Sequence, residues 1–245
     1  MGIAGAGAEL IPVLICPVIN RFDLLERMVR SIRGSVERFV IVECSCSGYS
    51  LPSEFDDLDV VYIRPPLVSL GYGGGINAGI IQTAGAPWWA FTNADIVFGP
   101  EDPPEIERLM NETQNPRMVT YGFAWGAINP ATIDRVGLID DWTFFPIYFD
   151  DNDYSRRCLL GGVEIINYKG GIVHGAKEDG DGSVTIKSSD QYREGNNRTF
   201  PVNYNKYLEK WGGPPGWETF TTPWNSGYPL WYTKPDITGK HSRNW

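Results

Sequence analysis

The chain has 245 residues, of which 42% are hydrophobic, and it carries a formal net charge of −9 at pH 7. That length suits one large domain, or one domain with an extension, and the apolar share is enough to form a core. The acidic balance argues against a nucleic-acid partner, because the surface as a whole repels phosphate backbones. No apolar run approaches membrane length, so we predict no transmembrane segment.

The cysteines predict a reducing compartment. There are four of them: Cys16, Cys44, Cys46 and Cys158. They form neither a C-x-x-C pair nor a zinc-binding spacing, so reduced thiols are the favoured interpretation. Residues 1–9 lack the basic start of a signal peptide, and two prolines interrupt the apolar run that follows. We therefore predict a cytoplasmic protein.

Strands and helices alternate in the first half of the chain. Short apolar runs predict buried strands at residues 11–16, 39–44, 60–63 and 88–92. Helical periodicity or an N-terminal proline predicts helices at residues 22–34, 76–83 and 103–112. This alternation predicts an α/β fold with a mainly parallel central sheet flanked by helices.

The pattern changes after residue 115. Strands are predicted at 118–123 and 163–168, with a helix at 153–160 between them. From about residue 190 the chain is rich in proline, glycine and aromatic residues, and it holds five of the nine tryptophans. We predict an α/β domain over residues 1–189 and an irregular, aromatic-rich extension over residues 190–245 that packs on it.

A glycine-rich segment, GYGGGINAG at residues 71–79, is the first candidate for ligand contact. Glycines let a backbone approach a ligand closely, and the helix predicted directly after them would aim its first N–H groups at an anion. The alternative is a flexible turn.

The same segment admits a different chemistry. Gly73, Gly75 and Ala78 fit the dinucleotide-binding fingerprint, and Asp95 ends the next strand about 20 residues on. However, the fingerprint normally follows the first strand of a fold, whereas this segment follows two or three strands. Residues 65–66 are both proline, which suits a central strand poorly.

Asn93 and Asp95 follow the strand predicted at 88–92. Side chains two residues apart at a strand end point the same way, so the two side chains can converge on one cation or one sugar. Oxygen ligands suit Mg²⁺ and Mn²⁺, which keep positions open for diphosphate oxygens. An Asx turn that ends the strand is the alternative.

An acidic cluster occupies residues 150–153, with aspartates at 150, 151 and 153. Three carboxylates so close together repel one another unless a cation or hydrogen-bond donors relieve them. Acids in the first turn of a helix are also favourable by themselves. Both interpretations can hold, with Asp153 as the cap and Asp151 facing a cleft.

His174 ends an apolar run between glycines, and the other histidine, His241, lies in the tail. Considered alone, His174 reads as a satisfied core histidine. Its position in a chain with two acidic motifs makes a metal ligand a reasonable second interpretation.

Together these motifs resemble the family-two glycosyltransferases of the GT-A fold, over about residues 11 to 185. The motifs that carry the resemblance are CPVINR at 16–21, IVE at 41–43, NAG at 77–79, NAD at 93–95, and DDND at 150–153 with Arg156. Rhamnosyltransferase-like members are the most similar. The resemblance implies a GT-A-like nucleotide-binding fold and an inverting transfer of a sugar from a nucleotide-diphosphate donor.

The resemblance also implies residue roles. Asp95 would hold a divalent metal, Mn²⁺ or Mg²⁺, with His174 as a further ligand or diphosphate contact. Asp151 would be the catalytic base. The donor-binding residues would be Asn20, Glu43, Gly71, Gly73, Gly74, Asn77 and Asn93. Two positions depart from the family pattern: Glu43 stands where aspartate is usual, and Asn93 replaces the first acid of a D-x-D motif.

The chemistry agrees with this assignment, because a metal can neutralise the leaving diphosphate while a carboxylate takes the acceptor's proton. The acceptor would be a hydroxyl on a glycan, a lipid-linked sugar or a protein. Two alternatives stay open: a dinucleotide-binding oxidoreductase, and a non-catalytic sugar-binding module that stacks sugars on the C-terminal aromatic rings.

Overall fold

A computed structural model describes residues 10–45, 48–65, 69–175 and 190–232. Cys46 and His241 lie outside these ranges. The strands are β1 Ile11–Val18, β2 Val36–Glu43, β3 Val60–Ile63, β4 Trp89–Thr92, β5 Ile96–Val97, β6 Arg117–Tyr121, β7 Trp125–Ile128, β8 Glu164–Asn167 and β9 Val173–His174. The helices are α1 Phe22–Ile32, α2 Gly71–Gln82, α3 Asp102–Asn111, α4 Pro130–Val136, α5 Asp150–Leu160 and α6 Asp190–Trp211.

Seven strands form the central sheet in the order β3-β2-β1-β4-β7-β6-β8. The pairs β1–β2, β2–β3, β1–β4 and β6–β8 are parallel, and β7 runs antiparallel to β4 and β6. β5 and β9 form a separate antiparallel pair. The prediction of a mainly parallel sheet flanked by helices is confirmed.

The alternation of side chains along β1 places one apolar core on each face of the sheet. Leu14 and Cys16 belong to the core that α1 and α3 cover, whereas Val13 and Ile15 belong to the core that α2, α4 and α5 cover. Successive strand residues point to opposite faces, so a fully buried strand contributes to both cores. The apolar run predicted as a buried strand is therefore explained by helices on both sides.

The glycine run differs from the prediction, because it is helical from Gly71 onward instead of forming a loop before a helix. Glycine disfavours helices by about 1 kcal/mol per residue, so tertiary contacts must stabilise this one. A Cβ at Gly75 would lie 2.9 Å from Pro17 Cβ, and one at Gly79 would lie 2.6 Å from Ile15 Cγ2. The glycines let α2 pack directly on β1.

The prediction of an irregular, aromatic-rich extension holds for residues 212–232, where one short 3-10 turn at Pro223–Asn225 is the exception. Helix α6 in front of it was not predicted. Pro201 and Gly195 lie inside this helix, and both disfavour helix interiors. Its side chains compensate through contacts with residues 140–153. None of the helices in the described ranges is long and apolar enough to cross a membrane.

A buried cluster of charges joins α6 to the domain. Lys210 Nζ lies 2.8 Å from Asp140 Oδ2 and 2.6 Å from Asp153 Oδ1, with all three side chains almost fully buried. Arg157 Nε donates to Asp153 Oδ2 at 2.8 Å, and Trp211 Nε1 donates to Asp153 Oδ1 at 2.9 Å. Two positive and two negative side chains therefore balance. Asp153 does not cap α5 as suggested from sequence; Phe149 holds the N-cap position.

We predict that Lys210→Met destabilises the protein by about 3–5 kcal/mol, because it leaves the carboxylates of Asp140 and Asp153 buried without their shared cation. The measurement is the free energy of unfolding from urea denaturation. Arg108→Met is the matched control, since Arg108 pairs with Glu105 at the surface. That change should cost about 0.5 kcal/mol or less. Equal losses in the two variants would contradict the prediction.

Candidate active site

Three parallel strands bring polar residues to one edge of the sheet. Val18 at the end of β1 pairs in register with Glu43 at the end of β2, and β4 lies on the other side of β1. Asn20 follows β1 in a left-handed conformation with φ 53°. Asn93 follows β4, and its N–H donates to Ala124 O at 2.8 Å. Ligands of open α/β sheets bind outside the carboxyl ends of strands, so this edge is the candidate pocket.

Glu43 is fully buried at this edge, and protein groups contact both of its carboxylate oxygens. Oε1 accepts a hydrogen bond from Gly48 N at 2.9 Å, and Oε2 accepts one from Arg64 Nε at 3.0 Å. Arg64 also donates to the carbonyl of Tyr49. Glu43 therefore holds Gly48 directly and Tyr49 through Arg64.

Asp95 and His174 meet where β5 pairs with β9. Ile96 is the register partner of His174, and His174 Nε2 lies 3.5 Å from Asp95 Oδ1. The backbone adds a second link, because Gly175 N donates to Asp95 O at 3.0 Å. The hydrogen bond that the His174 ring donates to the Asp95 carboxylate raises the pKa of His174, although partial burial of the ring opposes the shift. The structure thus brings together the two residues that sequence proposed as metal ligands.

The start of α2 packs against residues 139–150. Gly71 has φ 70°, and a Cβ there would lie 2.4 Å from Pro146 O. A Cβ at Gly73 would lie 2.7 Å from Ile139 Cγ2. A Cβ at Gly74 would lie 2.9 Å from Asp141 Oδ2. Other protein atoms therefore occupy the space that side chains at these three positions would need. Only glycine lets the start of α2 come so close to residues 139–150.

Asn77 locks this packing. Its Nδ2 donates to Ile139 O at 2.8 Å, and its Oδ1 accepts from Ile139 N at 3.0 Å. The amide therefore pairs with the backbone of one residue in both directions. Asn77 has a structural role in the described contacts, and its contact with a donor stays a prediction.

The acidic cluster forms the first turn of α5. Asp150 is 3% exposed, and within the described residues its Oδ2 has no hydrogen-bond partner. Burial, followed by the charge of Asp151, raises the pKa of Asp150 well above its usual range. Burial also raises the pKa of Asp151, although backbone N–H groups partly offset the shift. Two adjacent carboxyl groups therefore favour retention of a proton.

Tyr72 lies in the first turn of α2. Its hydroxyl donates to Phe123 O at 3.1 Å. Burial is the main cause of its strongly raised pKa, and the charges of Asp150, Asp151 and Asp95 contribute in the same direction. A Cβ at the neighbouring Gly73 would lie 3.2 Å from Asp150 Oδ2, so this turn of α2 adjoins the acidic cluster. Sequence reasoning missed Tyr72, although it is the one side chain with a polar group among residues 71–75.

The potential metal donors at Asp95 are its own carboxylate and the imidazole of His174. Within the described ranges, no group of three or more histidine, cysteine, aspartate or glutamate residues is placed to hold a metal ion. However, Mg²⁺ in phosphate-transfer sites is commonly bound by one or two carboxylates together with substrate phosphates. The buried Asp95 carboxylate with His174 beside it fits an ion of that kind, which substrate oxygens would complete.

The packing around the glycines argues against the alternative of a dinucleotide-binding site. In that fingerprint the second glycine leaves room for a pyrophosphate. Here a Cβ at Gly75 would meet Pro17, and one at Gly73 would meet Ile139. The volume that the glycines leave is filled by protein, which argues against pyrophosphate binding at this turn.

Solved structures share the fold of this chain. The mannosyltransferase PcManGT from Pyrobaculum calidifontis, in complex with GDP-Man and Mn²⁺, matches with a TM-score of 0.55 and 14% identity, over 82% of this chain and 70% of that one. S. aureus TarS 1–349 in complex with UDP matches with a TM-score of 0.53 and 12% identity, over 81% and 70%. No family model and no curated protein matches the sequence. The likeness therefore shows the fold.

The buried carboxyl of Asp150 should make the free energy of unfolding depend on pH. Because its folded pKa is raised, the folded state keeps a proton that the unfolded state releases above about pH 3.9. This difference favours unfolding increasingly as pH rises through that value towards the folded pKa. Asp150→Asn keeps the shape and cannot ionise, so it should stabilise the protein more at pH 7 than at pH 4.

The measurement is the difference in unfolding free energy between variant and wild type at the two pH values. Asp134→Asn removes an exposed carboxylate on α4 and is the control. We expect little change in its difference from wild type. A difference for Asp150→Asn that stays constant or falls between pH 4 and pH 7 would contradict the assignment of a protonated Asp150.

Proposed function

We propose that this protein is a glycosyltransferase that moves a sugar from a nucleotide-diphosphate sugar to a hydroxyl acceptor. One observation carries the proposal: beyond the carboxyl end of β4 the buried Asp95 lies 3.5 Å from His174, while a second acidic group, Asp150 and Asp151, begins α5. A transfer of this kind needs negative charge neutralised at the leaving group and a proton accepted at the nucleophile. The fold, shared with a structure that binds GDP-Man and one that binds UDP, supports the same conclusion.

On the donor side, Asn20, Glu43 and Asn93 would contact the nucleotide, since they lie at the carboxyl ends of adjacent parallel strands. Gly71, Gly73, Gly74 and Asn77 would contribute by placing α2 against residues 139–150. In this proposal the glycines position the pocket wall. A bulkier residue would displace that wall and the acidic cluster with it.

Asp95 and His174 would hold Mn²⁺ or Mg²⁺. When bound, the ion would supply positive charge to the leaving diphosphate. Asp95 suits this role because its carboxylate is almost fully buried at the strand edge and lies next to an imidazole. A neutral Asn93 in place of a second acid leaves the protein side of the site with one formal negative charge.

Asp151 would act as the base that accepts the proton of the acceptor hydroxyl, in a single displacement with inversion at the anomeric carbon. A base needs a pKa near the working pH, and burial moves Asp151 in that direction. Asp150 is less suited to this role, because it is more deeply buried and its pKa is raised further from the usual range. The proposed setting is the cytoplasm, where the buried thiols of Cys16, Cys44 and Cys158 would stay reduced.

Donor and metal binding can be tested together by thermal shift. We expect one nucleotide sugar from a panel, in the presence of Mn²⁺ or Mg²⁺, to stabilise the protein by about 2.7 kcal/mol at 100 times its dissociation constant. EDTA should remove the shift and abolish transfer, and Asp95→Asn should weaken both. Asp134→Asn controls for the loss of one charge. A donor that binds and reacts equally well in EDTA would rule out the metal and make Asp95 a direct sugar contact.

Asp151→Asn tests the catalytic base. The amide keeps the shape and cannot accept a proton, so we expect transfer to fall by at least ~100-fold while the affinity for donor and metal stays near normal. Asp150→Asn should reduce transfer less. The measurements are kcat with saturating substrates and the donor dissociation constant.

Two results would overturn this assignment. Loss of donor binding in Asp151→Asn would place the residue in the donor or metal site. Retention of anomeric configuration, seen by NMR of the product, would exclude a single displacement with Asp151 as base. A protein that binds sugars but never hydrolyses or transfers any nucleotide sugar would favour the non-catalytic sugar-binding alternative.

A further inference from the structure

An ion pair lies at the carboxyl ends of β2 and β3. Glu43 is the last residue of β2 and is fully buried, whereas Arg64 directly follows β3 and its side chain is 43% exposed. Val42 and Ile63 are register partners, so the residues that follow them lie side by side. Arg64 Nε donates to Glu43 Oε2 at 3.0 Å. A buried carboxylate thus holds one edge of a partly exposed guanidinium.

Further contacts fix the orientation of this guanidinium. Its Nη2 donates to the carbonyl of Tyr49 and lies 3.4 Å from Ser50 Oγ. Its Cζ lies 5.0 Å from the centroid of the Tyr62 ring, which is a cation–π contact. Hydrogen bonds from Arg64 to the described residues use Nε and Nη2. The two N–H groups of Nη1 are therefore left for another acceptor.

The same contacts place Arg64 at the edge of the sheet where the nucleotide is proposed to bind. Tyr49, whose carbonyl accepts from Arg64, stacks on Phe22 with ring centroids 3.9 Å apart at an interplanar angle of 12°. Phe22 begins α1 two residues after Asn20, which follows β1. Arg64 therefore continues the row of polar residues at the strand ends, from Asn20 after β1 and Glu43 in β2 to the end of β3.

The charge of the pair limits what Arg64 binds well. Its positive charge is balanced by the Glu43 carboxylate, whose nearer oxygen lies 3.0 Å from Nε. The pair therefore offers little net charge to a phosphate group, and its remaining contribution is two N–H donors in a fixed orientation. A neutral carbonyl oxygen matches such donors, and it loses less hydration on binding than a charged phosphate does.

We infer that Arg64, oriented by Glu43, donates a hydrogen bond to a carbonyl oxygen of the donor's nucleobase and so selects uracil or guanine nucleotides over adenine nucleotides. This inference rests on the proposed function. Guanine presents O6 and uracil, like thymine, presents O4, whereas adenine has an amino group at the matching position. That amino group would face the N–H donors of Nη1 with donors of its own. Because the guanidinium is held before the ligand arrives, it loses little conformational freedom on binding.

The test measures dissociation constants of UDP, GDP and ADP for the full-length protein with Mn²⁺, by isothermal titration calorimetry. Inorganic pyrophosphate is the probe that lacks a base. Arg64→Lys keeps a positive charge beside Glu43 and removes the planar fork of donors. A double variant, Glu43→Gln with Arg64→Met, removes both charges together and so leaves no buried carboxylate unpaired.

Arg38→Lys is the matched control, because Arg38 pairs with Asp59 near the opposite end of β2. Circular dichroism and the melting temperature check that each variant is folded.

We expect UDP or GDP to bind the wild type about tenfold or more tightly than ADP. Arg64→Lys and the double variant should weaken binding of that preferred nucleotide about tenfold or more, as loss of one hydrogen bond to a charged group does. Their affinities for ADP and pyrophosphate should stay near the wild-type values, which a general loss of structure would not leave intact. Arg38→Lys should match the wild type for every probe. The tighter of UDP and GDP identifies the base as uracil or guanine.

Contrary results separate the base contact from the proposed function. ADP binding to the wild type as tightly as UDP and GDP overturns the base contact alone. So does unchanged selectivity in a folded Arg64→Lys protein. An equal loss of pyrophosphate affinity in that variant would assign Arg64 to the phosphates and also overturns the base contact. Failure of the wild type to bind any nucleoside diphosphate overturns the proposed function, and the base contact with it.

Discussion

The buried cation of Lys210 is the constraint on which the second half of the molecule depends. Its ammonium lies between Asp140 and Asp153, and together with Arg157 it balances their two charges, whose burial would otherwise be strongly unfavourable. Burial alone would raise the pKa of Asp140, yet Lys210 reverses the direction and lowers it. The three residues come from a loop, α5 and α6, so one electrostatic requirement fixes the relative placement of all three. Aromatic rings of Phe144, Trp211 and Trp224 enclose the cation.

That placement extends to the candidate site through the segment between Asp140 and Asp150. Ile139 precedes Asp140, and its backbone forms two hydrogen bonds with the side chain of Asn77 in α2. Pro146 in the same segment accepts from Tyr72 N at 2.8 Å. The C-terminal helix, the 139–150 segment and the glycine-rich helix thus form one continuous structure. The acidic cluster is positioned by contacts from both sides.

The sequence predicted the parts of the fold whose signal is local. Burial on both faces of the sheet makes β1 a continuous apolar run, and burial of one face of α1 gives that helix a periodic pattern. Both patterns predict the element directly from the sequence. Helix α6 could not be predicted from its own sequence, because Asn203, Lys210 and Trp211 stabilise it through contacts with residues distant in the sequence. The prediction of a glycine-rich loop before a helix is wrong for the same reason. Glycine disfavours helix formation, and only the packing of α2 on β1 explains why residues 71–75 are helical.

The candidate site shows the same division between composition and environment. The residue pattern alone identifies Asp150 and Asp151 as adjacent acids and does not distinguish them, because the difference lies in what surrounds each one. Asp150 points at the helix of Gly73 with a buried oxygen that lacks a partner within the described residues, whereas Asp151 is more exposed. Desolvation therefore holds the proton more tightly on Asp150, and its neutral state spares Asp151 a second adjacent charge. Two neighbouring aspartates can therefore have different roles. A neutral Asp150 suits a buried packing position, and an ionisable Asp151 suits proton transfer.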